Sequence, residues 1–176
     1  MSHIETPWSR VASRTARGLL VRKGITQGTL VESLRLVGTS ETPRSIEGKL
    51  LRGTFKFSLF LQILSAIKSD HPAHWKPVVA RAANWDDASA RILRHELLDI
   101  GMPLRQVAFR LRDLGVLIDD VVLGSACNDG NFPLVLILQL CLVRPIDELD
   151  RLVDMSDIRG ALLAEQQGKR SLSDAG

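Results

Sequence analysis

The feature that most constrains this chain is an internal repeat. Residues 8–67 of the 176 align without a gap onto residues 85–144, at a constant offset of 77, and 13 of the 60 aligned pairs are identical. An average composition would give about 4. The identical pairs are Trp8/Trp85, Arg14/Arg91, Arg17/Arg94, Leu20/Leu97, Gly24/Gly101, Leu34/Leu111, Arg35/Arg112, Gly38/Gly115, Gly53/Gly130, Phe55/Phe132, Leu59/Leu136, Leu61/Leu138 and Gln62/Gln139. Because many of them are glycine, aromatic or leucine positions, where a fold repeats its turns and its core, the pattern predicts a tandem duplication.

Each copy reads as a series of short helices separated by glycine. Apolar residues recur at three-to-four spacing, threonine precedes two of the helices as an N-cap, and glycine follows as a C-cap. In the first copy, the predicted helices cover 8–22, Thr26 to Gly38, 42–52 and a segment from Gly53 to about 67. In the second copy, they cover 85–99, 103–114 and 119–129, and an apolar run follows. We therefore predict an all-α fold of two tandem helix-turn-helix units, each with four to five short helices, plus C-terminal helices.

Composition shifts give the expected domain boundaries. The predicted segments are a basic unit 1–68, a linker 69–84 made stiff by two prolines, an acidic repeat 85–144, C-terminal helices 145–167 and a disordered tail 168–176. Within the fourth segment, we expect one short helix from Ile146 to Met155 and another that starts at Ser156.

The third helix of the first copy, within TPRSIEGKLLRGTF, is the candidate functional element. Four cations surround it, with Glu47 as the opposing charge, and a short turn containing glycine joins it to the helix before. This arrangement is typical of a helix-turn-helix, whose second helix enters the major groove of DNA. The predicted DNA-binding residues are Thr26, Gln27, Thr42, Arg44, Ser45, Lys49, Arg52 and Lys56, with Arg44, Ser45 and Lys49 facing the groove. The cluster Arg14, Arg17, Arg22 and Lys23 either reinforces phosphate binding or forms a solvated helix face.

The second copy has lost this basic character. Residues 42–56 carry four cations and one anion, net +3, whereas the equivalent residues 119–133 carry three aspartates and no cation, net −3. Such a helix would be repelled by phosphates, and its apolar residues suggest contact with protein. The predicted interface residues are Val121, Val122, Leu123, Leu134 and Ile137. The alternative is a degenerate packing copy with no partner.

Two resemblances follow from these motifs. The stretch ITQGTLVESL followed by SIEGKLLRG resembles the phage-repressor pattern, which implies that the two tandem units are repressor-like helix-turn-helix units. The segment between Gly38 and Gly53 is longer than in those repressors. The K-x-x-R-G-x-F motif of Lys49 to Phe55, followed by FLQIL, resembles the bacterial DUF6471 family over residues 8–67, and the second copy resembles it more faintly. The family name implies no activity.

The sequence favours a DNA-binding regulator of transcription in the cytoplasm, at the nucleoid. Its expected partners are double-stranded DNA and either a second copy or another protein bound through the second repeat. The alternative is an adaptor that keeps the fold but binds an acidic protein, such as polymerase or another regulator, without DNA. No enzyme, cofactor, metal or membrane segment is expected, because His3, His71, His74 and His95 lack catalytic or ligand spacing and no apolar run reaches about 18 residues. Cys127 and Cys141 are expected to be buried thiols.

Overall fold

The computed structural model describes residues 5–173. It is an all-α fold, and within this range the backbone pairing outside helices is a single isolated bridge between Lys56 and Pro133. The helices are α1 Pro7–Arg22, α2 Gln27–Leu36, α3 Pro43–Arg52, α4 Phe57–Ala66, α5 Lys76–Arg81, α6 Trp85–Ile100, α7 Leu104–Asp113, α8 Asp120–Asp129, α9 Leu134–Leu140 and α10 Met155–Ser173. Short 3₁₀ turns lie at Ala73–Trp75 and Leu149–Arg151. No helix in the described range is both long and apolar enough to cross a bilayer.

The helix starts follow from the capping residues that the sequence supplies. The Thr26 hydroxyl accepts a hydrogen bond from the Thr29 amide at 3.2 Å, and Asn84 caps α6 through the Asp87 amide at 2.8 Å. Each satisfies one of the amides that the first turn leaves without a helical partner. The all-α prediction is confirmed, and the predicted helix positions in both copies agree with the structure to within a few residues.

The helices of the second half recur at the offset seen in the sequence. The bounds of α2 and α3, moved by the repeat offset, coincide with those of α7 and α8. The C-cap glycines of α3 and α8 also pack alike. A Cβ on Gly53 would overlap the Ser9 carbonyl oxygen of α1, and one on Gly130 would overlap the Asp86 carbonyl oxygen of α6. Ser9 and Asp86 are themselves an aligned pair of the repeat.

The two halves share one hydrophobic core. The α1 helix packs against α9, and α6 packs against α4, so each first helix contacts the fourth helix of the other half. Between them, the Phe57 amide donates to the Phe132 carbonyl at 2.9 Å, and the Leu134 amide donates to the Phe55 carbonyl at 3.1 Å. Phe57 and Phe55 align with Leu134 and Phe132 in the repeat, so each of these hydrogen bonds is the counterpart of the other. A local two-fold axis between the halves would relate them in this way. The halves therefore meet as the two subunits of a small dimer do.

The contacts of the two aligned tryptophans depart from this symmetry. The Trp85 indole donates to the Val37 carbonyl at 3.0 Å. The equivalent indole, Trp8, is buried and has no hydrogen-bond partner among the described residues, while the equivalent carbonyl, Leu114, accepts from Gln166 of α10 at 3.1 Å. The α10 helix also packs along α1. The C-terminal helix thus takes a position that has no counterpart in the other half.

Two expectations outside the repeats were wrong. Residues 146–155 do not form an amphipathic helix, because Glu148 takes a left-handed backbone conformation (φ 63°) and only the turn Leu149–Arg151 follows. The expected disordered tail is helical up to Ser173, since α10 runs on through Gly168, and its remainder lies outside the described residues. The linker between the halves also contributes to the common core, because Trp75 is fully buried in it.

Candidate nucleic-acid interface

The α3 helix is fixed at both ends. Thr42 caps its start by accepting from the Ser45 amide at 3.2 Å, with Pro43 in the first helical position. At its end, Gly53 takes the left-handed conformation (φ 67°) against α1, and the Ser13 hydroxyl of α1 donates to the Leu51 carbonyl at 3.0 Å. The helix therefore has a defined orientation relative to α1, which a recognition helix requires.

The two sides of α3 differ in chemistry. Ile46 and Leu50 are 2% and 5% exposed and anchor the inner face. On the outer face, Arg44, Gly48 and Arg52 follow one another at four-residue spacing, and both arginines are exposed. The Arg52 guanidinium lies over Gly48, where a Cβ would come 3.0 Å from its Nη1. Among the residues that the structure describes, neither arginine forms an ion pair with a carboxylate.

Lys49 and Ser45 lie on the flank of α3 and are held by an acid that the sequence interpretation overlooked. Lys49 Nζ and Ser45 Oγ both donate to Oε2 of Glu41, at 2.6 and 2.8 Å. Partial burial raises the pKa of Glu41, but the hydrogen bonds from Lys49 and Ser45 outweigh it and bring the pKa below 4.5. Glu41 therefore stays ionised at neutral pH. Glu47 is not the only anion beside these cations.

This flank faces a groove between the two halves. The groove has a volume of about 660 Å³ and is lined by Lys49 and Lys56 from one half and by carboxylates of the other, among them Asp86 and Asp129. Lys56 Nζ is 3.9 Å from Asp86 Oδ2. The positive charge of Lys49 and Lys56 is thus partly balanced within the chain, unlike that of Arg44 and Arg52.

A cluster of arginines continues the outer face of α3 onto α1. Arg10, Arg14 and Arg17 of α1 and Arg52 of α3 line a cleft of about 440 Å³, with Glu5 as the acidic member of its lining. Arg14 is bound at 2.6 Å to Asp157 of α10, which leaves Arg10, Arg17 and Arg52 directed to the cleft. We call these three residues the arginine cleft. Arg10 was not among the predicted residues, since its role depends on how α1 and α3 pack.

The other predicted residues hold local structure. Thr26 and Thr42 are exposed but use their hydroxyls as helix caps, and Gln27 is exposed in the first turn of α2. From the reinforcing cluster, Arg22 Nη2 reaches the Leu152 carbonyl at 3.4 Å, so this side chain contacts the C-terminal region.

The structure corrects the predicted protein interface of the second half. Leu123, Leu134 and Ile137 are at most 1% exposed, because α9 packs between α1 and α4 and Leu123 lies in the same core. They cannot contact a separate partner. Val121 and Val122 are 75% and 51% exposed and remain available.

Comparison with known proteins bears on the first half. No curated protein and no solved structure matches the chain. Residues 8–72 match the model of a family described as a domain of unknown function (DUF6471). The match covers α1–α4, including the Lys49-to-Phe55 motif, so the predicted family resemblance is confirmed for this segment: the first half of the chain is similar to DUF6471 domains.

Proposed function

We propose that the protein is a non-catalytic, DNA-binding regulator of transcription that places α3 in the major groove. The observation that carries this proposal is the reversal of charge between two equivalent helices. The α3 and α8 helices have the same length and the same glycine packing, yet the residues around them carry net +3 and net −3. If the fold required a particular charge at this position, both helices would carry it. A polyanionic ligand that binds only one of them explains positive charge on that helix alone.

The proposed contacts follow the two faces of α3. Arg44 reads base edges from the outer face, and Ser45 and Lys49 contribute at its flank when DNA displaces Glu41. Phosphates are held by Arg52 with Arg10 and Arg17, and by Thr26, Gln27, Thr42 and Lys56 at the margins. Phosphate contacts of this kind fix the register, and base-edge contacts supply specificity.

The second half is proposed to be a duplicated unit that has exchanged DNA contact for protein contact. Phe109, Leu117, Val121 and Val122 are all at least half exposed. The equivalent positions of the first half are Glu32, Ser40, Arg44 and Ser45, all charged or polar. An apolar surface at the equivalent of a DNA-reading surface favours protein contact.

The partner proposed for this surface is a second copy of the chain. Each chain supplies one basic helix, and helix-turn-helix proteins gain specificity by placing two such helices on half-sites about one DNA turn apart. A homodimer joined through the exposed residues of α7 and α8 would supply the second helix. The expected location is the cytoplasm, at the nucleoid.

The test compares two variants that lose the same charge. Arg44→Ala/Arg52→Ala removes two cations from the outer face of α3. The control, Arg81→Ala/Arg159→Ala, removes two exposed arginines of α5 and α10, outside both proposed surfaces. Duplexes are first selected from a random pool, and affinity is then measured by fluorescence anisotropy over a series of salt concentrations. We expect the α3 variant to lose about 1–3 kcal/mol of binding free energy from Arg44 and about one unit of salt slope from Arg52. The control variant should bind as the wild type does.

Equal losses in both variants would mean that only net charge matters and would contradict the placement of α3. Failure of the wild type to bind any duplex at low salt would favour the alternative, an adaptor whose basic face binds an acidic protein.

A further inference from the structure

Away from α3, the fold brings together two histidines and a glutamate that the sequence gives no reason to group. His74 lies in the 3₁₀ turn Ala73–Trp75 of the linker, and His95 and Glu96 lie on α6. His74 Nε2 is 2.7 Å from Glu96 Oε1, and the two imidazole rings are 5.4 Å apart between centroids. One nitrogen from each histidine and one carboxylate oxygen lie within 4.8 Å of one another. The lack of ligand spacing in the sequence therefore did not reveal this grouping, which arises because the linker folds back on α6.

Glu96 is a buried acid in a fixed position. Its side chain is 6% exposed, and the Trp75 indole donates to Oε1 at 2.7 Å. The buried indole and the neighbouring turn hold both the carboxylate and His74 in place. Buried carboxylates are costly unless they are neutralised by a cation or a proton. Besides the indole, the group that contacts this carboxylate is the His74 imidazole at 2.7 Å, and imidazoles bind metal in their neutral form.

His95 has a carboxylate beside its ring. Its Nδ1 is 3.5 Å from Asp99 Oδ2, one helical turn away, which is an ion-pair distance without a hydrogen bond. A shorter contact of this kind fixes the tautomer and directs the other ring nitrogen to a metal, so Asp99 is placed to support His95 when an ion binds. The three candidate ligands border a cavity of about 170 Å³, whose charged lining also includes Asp99, Asp147 and Arg144. The Arg144 guanidinium donates to the Asp99 carbonyl. This space admits an ion and a water molecule.

We propose that His74, His95 and Glu96 bind one divalent transition-metal ion, for which zinc is the probe. Two imidazoles and a carboxylate are a zinc ligand set, and three protein ligands leave a fourth position for water. The bound ion would join the linker directly to α6 and would so fix how the halves are connected. Asp99 is a positioning residue, since it acts through His95.

The experiment uses the full-length chain without a histidine tag. Zinc binding is measured by calorimetry, and cobalt is added separately to obtain its visible absorption spectrum. We expect one ion per chain and a cobalt spectrum of four or five N/O ligands without a thiolate band. At a hundredfold excess of zinc over Kd, Tm should rise by roughly 5–10 °C.

The decisive variant is His95→Ala, because this side chain is 46% exposed and its loss should not unfold the chain. It should bind zinc at least tenfold more weakly. The control is His71→Ala, which removes the other linker histidine and should bind as the wild type does. The proposal is overturned if the wild type shows no saturable zinc binding, if His95→Ala retains its affinity, or if cobalt shows a thiolate band that places the metal on Cys127 or Cys141. If the wild type binds no zinc, the two histidines and Glu96 form a structural hydrogen-bonded cluster and not a metal site.

Discussion

The contact between Gly53 and α1 gives the sharpest test of how α3 is oriented. In Gly53→Ala, the new Cβ would overlap the Ser9 carbonyl oxygen and lie 2.6 Å from the Ser9 carbonyl carbon and 3.0 Å from the Ser13 amide nitrogen. All three atoms belong to the backbone of α1, so no side-chain rotation relieves the clash. The first and third helices must separate, which opens the core at Ile46 and Leu50.

The magnitude follows from comparison with Gly24→Ala. Gly24 has nearly the same left-handed conformation (φ 65°), but a Cβ there would meet nothing within 4 Å. Gly24→Ala should therefore cost only the conformational penalty, about 1 kcal/mol. Gly53→Ala adds the separation of two packed helices, which raises the expected loss in the free energy of unfolding to about 3–5 kcal/mol.

Urea unfolding followed by circular dichroism measures both losses on the same scale. The second half supplies a repeat of the experiment, because Gly130 meets Asp86 of α6 as Gly53 meets Ser9. Gly130→Ala should match Gly53→Ala to within about 1 kcal/mol, allowing for the context dependence of overpacking. If Gly53→Ala were no more destabilising than Gly24→Ala, the close approach of α1 and α3 would be wrong, and with it the orientation of the outer face.

Two further predictions concern groups whose burial the structure settles. Burial raises the pKa of the Cys141 thiol to about 12 and also raises that of Cys127. At pH 8 both thiols should therefore be protonated and resist iodoacetamide until urea unfolds the chain, as mass spectrometry would show, and rapid alkylation of the native protein would contradict their burial. Val121→Asp should leave the free energy of unfolding within about 0.5 kcal/mol of the wild type, while the mass measured by light scattering falls from that of the proposed dimer to that of a monomer. Leu123→Asp, which buries a charge, should prevent stable folding. A wild type that scatters as a monomer, or a Val121→Asp variant that scatters as a dimer, would contradict the proposed interface.

The sequence was sufficient for the helices because their signals are local. Thr42 and Pro43 begin α3 and Gly53 ends it, all within one short stretch, and the constant offset carried these assignments into α7 and α8. The sequence-based prediction failed where capping signals are missing. Residues 146–155 have the apolar spacing of a helix, but the chain turns at Glu148.

The site could be predicted only in part for a related reason. Charge along α3 identified the helix, but the division of its cations into free and engaged depends on packing. Glu41 precedes the first residue of α3, so no helical spacing relates it to Lys49. Arg10 joins Arg52 only because α1 and α3 cross, and His74 meets Glu96 only because the linker folds back on α6. An apolar run such as α9 shows that a helix is buried but not which helices cover it.

The burial of α9 against helices of the other half allows a test of whether the two halves unfold together, as one core, or separately, as two domains. Ile137 of α9 is fully buried where α1 and α4 of the other half meet it, so Ile137→Ala should cost about 2–5 kcal/mol. If the halves unfold together, this loss of unfolding free energy must lower the stability of both halves equally. Hydrogen exchange measured by mass spectrometry should then show the same fall in protection for α4 as for α9, because the slowest amides of each exchange through global unfolding. Two independently stable domains would give a different result, in which α9 loses protection and α4 keeps the wild-type value. In that case the local two-fold arrangement would be a contact between domains, and α3 would be held by the first half alone.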